Sequence, residues 1–307
     1  MNTRSYIRYG ADLSTKNYFR CRRDFLMLPG VREVRNGPYR FALPPGPEQD
    51  WFADHFAEVD AMIRNGVRLK SSVESSASVW TLPGGKKVFI KHNGNRGPAF
   101  TVKYFFIPAR VFRAALAAQR VEEAGVLTPH VFAVGEKRRA GILLAGYLVT
   151  EAVDDACDLM TYVIRRTDAP AGMPAIIREA ARIAAALHDH GFYHGDLKLI
   201  NLYRAGDNAP CGVWDLDSAR IFPNGVPYVM AVHELGRILS SIVIFAERNP
   251  AFPDDFFNLN RIAKELLDAY SDASAACKPM VSEVVDEAVA RWLNRRKLRF
   301  DYRGQHA

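Results

Sequence analysis

The sequence predicts an α+β fold of two lobes, a β-rich first lobe followed by a mainly helical second one. Three observations carry that expectation. Two strand-like runs flank a Pro83-Gly84-Gly85 turn, and two more follow a single helical stretch. Beyond Asp154 the apolar residues recur at helical spacing almost to the end of the chain. The 307 residues suit one large domain or two lobes sharing a cleft, a common place for a small-ligand site.

Residues 1–65 read as an extension before the main fold. They mix basic residues, aromatics and a PPGP turn at 44–47, and Trp51 to Arg64 (WFADHFAEVDAMIR) reads as one amphipathic helix. The first lobe is expected over 66–152. VRLKSSVESSASVWTL and KKVFIKH form its hairpin, and Pro108 to Ala124 forms a helix that Gly125 ends. VFAVGEK and GILLAGYLVTEAV complete the strands. The connector Glu151–Asp155 leads to the second lobe, 153–307. Its helices are expected at 159–166, 175–190, 232–247, 259–270 and 281–296.

Composition narrows the function classes. A net charge of +7 favours anionic partners without choosing among them, and no motif supports a nucleic-acid role. Cys21, Cys157, Cys211 and Cys277 stand far apart with no CxxC pair, which argues against a zinc site and suits a reducing compartment. MNTRSYIRYG has no apolar core segment and reads as no signal peptide. The apolar run ILSSIVIF at 238–245 is short of the roughly 20 residues a spanning helix needs. A cytoplasmic protein is expected.

The chemistry concentrates in Tyr193-His194-Gly195-Asp196-Leu197-Lys198-Leu199-Ile200-Asn201, directly after the long helix closed by Gly191. Fourteen residues on, an apolar strand ends in Val213-Trp214-Asp215-Leu216-Asp217. Phosphoryl transfer needs a carboxylate to orient an acceptor hydroxyl and take its proton. It needs hard oxygen ligands for Mg²⁺ and a lysine to offset charge on the transferred group. HxDxKxxN followed by DxD supplies each of these.

These residues resemble the protein-kinase-like superfamily. HGDLKLIN is similar to HRDLKxxN, with Gly195 for Arg, and DLD is similar to DFG, with Asp217 for Gly. The resemblance implies a protein-kinase-like fold that uses ATP and Mg²⁺, with Asp196 as base, Lys198 on the γ-phosphate, and Asn201 and Asp215 on metal. Val88-Phe89-Ile90-Lys91 stands where the family writes VAIK, which implies Lys91 on the α- and β-phosphates, with Lys103 in TVKYF as rival. The family's GxGxxG is absent. Ser75, Ser76 and Ala77, taken as part of a loop between the first two strands, are the candidates to cover phosphate. Glu151 and Val153 are the expected adenine hinge. Arg113, Ala114 and Ala115 stand where the helix-C glutamate would be, and Glu122 is its shifted alternative. Glu234 reads either as a brace for the catalytic loop or as an exposed first-turn acid.

DLDSAR and EAGVLTPHVFAVGE look like the bacterial lipopolysaccharide core kinases, the Kdo and heptose kinases. That resemblance covers about 67–245. It implies a sugar hydroxyl of the inner core as acceptor, an anionic glycolipid partner, and action at the cytoplasmic face of the inner membrane. The basic, aromatic stretch Arg291–Phe300 is the segment expected to touch that surface. A kinase of protein or another small molecule, or a nucleotide-binding pseudokinase, stays open at this point.

Overall fold

The computed structural model describes residues 20–71, 75–95, 97–165, 169–207, 209–247, 249, 251–252, 258–274 and 278–304. The chain divides into two compact units, Met1–Arg120 with Thr128–Asp154, and Val121–Leu127 with Asp155–Ala307. The fold is α+β, with strands dominating the first unit and helices the second.

The first unit contains α1 (Cys21–Leu26), β1 (Arg32–Asn36), β2 (Tyr39–Leu43), α2 (Gln49–His55), α3 (Val59–Asn65), β3 (Val67–Ser71), β4 (Ser75–Thr81), β5 (Lys87–Gly94) and α4 (Pro98–Phe106). Most of α5 (Val111–Glu123), then β6 (Val131–Arg139) and β7 (Ile142–Glu151), complete it. Seven strands form one antiparallel sheet in the order β1-β2-β6-β7-β5-β4-β3.

From Arg32 on, the stretch read as an extension contributes two strands to this sheet. β2 pairs with β6, and Phe41, Leu43, Phe52 and Phe56 lie in the same buried cluster as Val88, Ile90 and Tyr147. At the pairing Phe41↔Gly135 a Cβ on Gly135 would come within 2.4 Å of the Phe41 ring, so the glycine lets that ring lie flat and stack on Tyr147. β1 and β2 escaped a period-2 reading because RFAL and REVRN are short and the buried run Phe41–Leu43 does not alternate. The expected single helix over 51–64 is two helices joined by a 3₁₀ turn at Phe56–Glu58. His55 stacks on Trp51 with 4.5 Å between centroids and bonds its carbonyl, while Phe56 turns into the core.

Asp60 on α3 ties this segment to the sheet. It accepts from Tyr39 Oη (2.8 Å), Tyr147 Oη (2.7 Å) and Lys137 Nζ (2.7 Å), so three strands converge on one carboxylate. Burial alone would raise the Asp60 carboxyl, but the bonds from Lys137, Tyr147 and Tyr39 outweigh it and hold the group below its ordinary 3.8.

The second unit contains β8 (Ala156–Asp158), α6 (Leu159–Arg165), α7 (Ala169–Asp189), β9 (Phe192–Tyr193), β10 (Leu202–Ala205), β11 (Cys211–Val213), β12 (Arg220–Ile221), α8 (Tyr228–Ala246), α9 (Leu259–Ala273) and α10 (Val281–Gly304). The short strands form a three-stranded sheet, β11-β10-β8, and a β12-β9 pair. These pairings flank the segment that carries the chemistry. α8 extends the apolar run ILSSIVIF to 19 residues, and is long and apolar enough to cross a membrane. Of its most apolar stretch 72% is buried, and the helix packs with α7, α9 and α10 as the unit's core helix.

Replacing Asp60 with Ala strands two tyrosine hydroxyls and an ammonium. Chemical denaturation should show a loss of about 1–3 kcal/mol at neutral pH. The folded carboxyl is the stronger acid, so its contribution is present above the unfolded value of 3.8 and fades as pH falls below it. The gap between wild type and Asp60→Ala should therefore close only below about pH 3.8.

Candidate active site

The second unit gathers Asp196, Lys198, Asn201 and Asp215. Between β9 and β10 the chain runs as an irregular loop that closes in a 3₁₀ turn, Leu199–Asn201. A loop of this kind has backbone donors that no sheet or helix satisfies. Glu234, in the second turn of α8 and fully buried, takes two of them: His194 N–H to Oε2 at 3.0 Å and Gly195 N–H to Oε1 at 2.7 Å. His188 Nε2 bonds the same Oε2 at 3.2 Å, and its Nδ1 meets Tyr270 Oη at 2.9 Å. Burial would raise the Glu234 carboxyl, but His188, with His194, brings it below its ordinary value. Of the two sequence readings of Glu234, the brace is the one observed. A third donor, Leu199 N–H, bonds Ser241 Oγ at 3.2 Å, again from α8.

Gly195 has φ +82°, and a Cβ there would stand 2.5 Å from the Ser218 carbonyl oxygen. The glycine that replaces the kinase arginine is therefore required by this backbone. His194 is buried; its Nε2 bonds the Trp214 carbonyl at 3.1 Å and its Nδ1 accepts from the Asp196 N–H at 3.3 Å. Trp214 closes the link in return, donating N–H to the Asn201 carbonyl (3.1 Å) and Nε1–H to the Ile200 carbonyl (2.8 Å), while its ring stacks on Tyr203. Asp215 is thus fixed one residue from a direct bond to the Asn201 backbone. It adopts the left-handed conformation, φ 62° and ψ 56°, and begins the 3₁₀ turn Leu216–Ser218 that holds Asp217. A non-glycine residue held there carries strain that clusters at functional sites, and Asp is among the few that tolerate it.

The Asp196 carboxylate is closely surrounded. Oδ2 lies 2.8 Å from Lys198 Nζ and 3.2 Å from Asn201 Nδ2, which also donates to the Asp196 carbonyl at 2.8 Å. Oδ1 lies 2.8 Å from Arg237 Nη1. All three charged side chains stay 20–27% exposed, so solutes can reach them.

The remaining predicted residues lie in the first unit. Lys91 is on β5, the third strand counted from Val67, paired with Ala77 on β4 and Leu148 on β7. Its rival Lys103 sits in the last turn of α4, a helix, which removes it from the strand role. Ser75, Ser76 and Ala77 are the first residues of β4 and pair with Asn93, His92 and Lys91; they are strand, not loop. The turn at 72–74 lies outside the described residues. Glu151 ends β7, its N–H on the His130 carbonyl at 2.8 Å, and Val153 follows after Ala152 bonds the Lys87 carbonyl at 3.2 Å. Arg113, Ala114 and Ala115 lie on α5 with both alanines buried, and Glu122 lies near its end, so none of the positions expected for the glutamate holds an acid. In the tail, Arg291 pairs with Glu287, and Trp292 Nε1–H bonds Glu247 at 2.9 Å. Those two residues are spent on the unit itself; the side chains from Asn294 on, and Cys277, lie outside the described residues.

Sequence reasoning missed Arg237 and Ser241 and gave Trp214 no role. The available signal was a lone arginine in an otherwise apolar helix, three residues after Glu234 and so on the same face.

A strand-rich unit followed by a helical unit that carries this loop is the architecture of the protein-kinase-like fold. A solved structure, described as "WaaP in complex with acyl carrier protein", shares the fold with a TM-score of 0.55 at 19% identity, covering 84% of this chain and 97% of that one. Residues 101–242 match the sequence model of the lipopolysaccharide kinase (Kdo/WaaP) family, the family that the motifs resemble. No curated protein matches the chain.

Glu234→Gln retains the shape but loses the charge and one of the acceptor oxygens. We expect a folded protein, less heat-stable by several degrees, with transfer activity reduced at least tenfold. Thermal melts beside initial rates will check this.

Proposed function

We propose that the protein transfers the γ-phosphate of ATP to a sugar hydroxyl of the lipopolysaccharide inner core, with Asp196 as the base. The observation that carries this reading is the Asp196 carboxylate held by Lys198, Asn201 and Arg237 next to the Trp214–Asp215 segment. The family match over the same residues supports the kinase class and the lipopolysaccharide acceptor.

Mg²⁺ suits the donor set. Asn201 turns Nδ2 toward Asp196, which leaves its Oδ1 as the oxygen that would be offered to a metal, and Asp215 would add a carboxylate. Both are hard oxygen donors, and Mg²⁺ is usually bound by one or two side chains plus substrate phosphates. When bound, the ion would neutralise phosphate charge. Lys198 then turns from Asp196 to the transferring phosphoryl group, Asp196 accepts the hydroxyl proton, and Lys91 holds the α- and β-phosphates. Glu151 and Val153 offer backbone groups to the adenine edge, and Ser75, Ser76 and Ala77 stand at the strand start beside the phosphates. The acceptor is an anionic glycolipid, reached from the cytoplasmic side of the inner membrane.

For the membrane contact, α4 suits alongside the C-terminal stretch. Val102 and Phe106 are 69% and 73% exposed there, Phe105 is 46% exposed, Lys103 lies among them, and residues 95–110 contain no acid. Exposed aromatics with a basic fringe suit an anionic interface.

The test is transfer of labelled γ-phosphate to purified, dephosphorylated lipopolysaccharide core, with a generic protein acceptor alongside. Label should enter the glycolipid alone. Asp196→Ala should slow it on the order of 10²–10⁴-fold, and Asp215→Ala should abolish Mg²⁺-dependent ATP binding measured by calorimetry. Label entering protein instead would overturn the acceptor. In vesicle flotation, Phe106→Glu should weaken binding to anionic but not neutral lipid; equal binding would remove α4 from this role.

A further inference from the structure

Arg237 stands outside both sequence motifs. It is a cation in the apolar helix α8, one turn after Glu234. Its Nε is buried and, among the described residues, has no hydrogen-bond partner, so the contact of Nη1 with Asp196 is the guanidinium's polar engagement there.

The two oxygens of Asp196 have different company. Oδ2 is held by Lys198 and Asn201, both from the catalytic loop. The kinase reading gives each of those side chains another task once nucleotide and metal arrive. Oδ1 is held from α8, the buried core helix that also carries Glu234 and Ser241, the residues that fix the loop's backbone. We infer that Arg237 is the positioning residue of Asp196, fixing Oδ1 so that Oδ2 is the oxygen presented to the acceptor hydroxyl. This rests on the proposed role of Asp196 and names what holds it.

The physical argument is rotational. The terminal torsion of an aspartate is broad and nearly two-fold. When Lys198 and Asn201 turn to phosphate and metal, that rotation is unopposed unless another group holds the carboxylate. A charge-assisted bond of 2.8 Å from a helix fixed in the core opposes it. In the step itself the acceptor oxygen bonds to the γ-phosphorus, its proton passes to Oδ2, and the bond from the γ-phosphorus to the bridging oxygen breaks to release the nucleoside diphosphate. Asp196 is then a neutral acid that returns the proton to solvent. Arg237 keeps its charge and its place on Oδ1 throughout, and it touches neither substrate.

The experiment compares Arg237→Met, Arg237→Ala, Arg237→Lys, Asp196→Asn and the Asp196→Asn/Arg237→Met double variant in the full chain, using ATP and dephosphorylated lipopolysaccharide core. For Arg237→Met we expect native circular dichroism, Mg²⁺-ATP affinity within about twofold of wild type, unchanged KM for acceptor and kcat lower by about 10–100-fold, the usual cost of a small misplacement. The double variant should be no slower than Asp196→Asn, because both changes remove one function. Guanidinium chloride at tens of millimolar should restore part of the rate to Arg237→Ala and none to Asp196→Asn. If Arg237→Met fails to fold, Arg237→Lys carries the test, with a partial loss of kcat at constant KM, since one ammonium cannot reproduce the planar fork. Wild-type kcat in a folded Arg237→Met, or losses that multiply in the double variant, would overturn the role of Arg237. So would a loss confined to KM for the acceptor, which would make Arg237 a substrate contact. Asp196→Asn running at the wild-type rate would instead sink the assignment of Asp196 and this inference with it.

Discussion

One buried carboxylate organises the site. Glu234 has no exposed surface, yet it stays ionised because two backbone N–H groups and a buried histidine point at its oxygens. An unpaired charge at that depth would be far too costly to keep. The exchange is mutual: an irregular loop in a helical unit has amides with no helical or strand partner, and Glu234 gives two of them charged acceptors. Because Glu234 belongs to α8, the loop inherits the rigidity of the most buried helix of the unit. His188 and Tyr270 extend the same network to α7 and α9, so three helices converge on the peptide preceding Asp196.

That anchoring explains why the remaining groups need only short-range bonds. With His194 and Gly195 fixed, the His194 ring reaches the Trp214 carbonyl, and Trp214 returns two bonds to the loop. Asp215 is then carried to its place by the backbone in a conformation few residues accept. The strain there is local and is held by contacts on both sides, as strained backbone generally requires.

The helical unit was largely legible because its signals are local. Gly191, the HGDLKLIN spacing and the apolar strand before Asp215 lie within about 25 residues and constrain one another. Helix periodicity located α8, α9 and α10, although α8 and α7 each begin several residues earlier than expected. The first unit was harder. β1 and β2 are short, and β2, on which β1 pairs, depends on β6, nearly a hundred residues away; no local pattern announces such a partner. α4 was missed because PAFTVKYFF is apolar on most faces and lacks the periodicity that marks a packed helix. Ser75–Ala77 were expected in a loop because small polar residues suggest turns, whereas in β4 they sit opposite Lys91, His92 and Asn93, where small size lets the strands pair closely. Arg237 was invisible for a different reason: a motif reading attends to short spacings along the chain, and its partner lies 41 residues upstream.

The position of Arg237 also gives meaning to Gly195. A kinase loop of the HRD kind has an arginine next to its catalytic aspartate in sequence. Here that position must be glycine, since its backbone is left-handed and a Cβ would collide with the Ser218 carbonyl. An arginine does stand beside the aspartate, but it comes from α8, at 2.8 Å from Oδ1. The two departures from the familiar pattern, a glycine in the loop and an arginine in the core helix, are then consistent with one arrangement. The loop turns tightly against Ser218, and the same helix that binds its amides through Glu234 also binds the carboxylate they lead to.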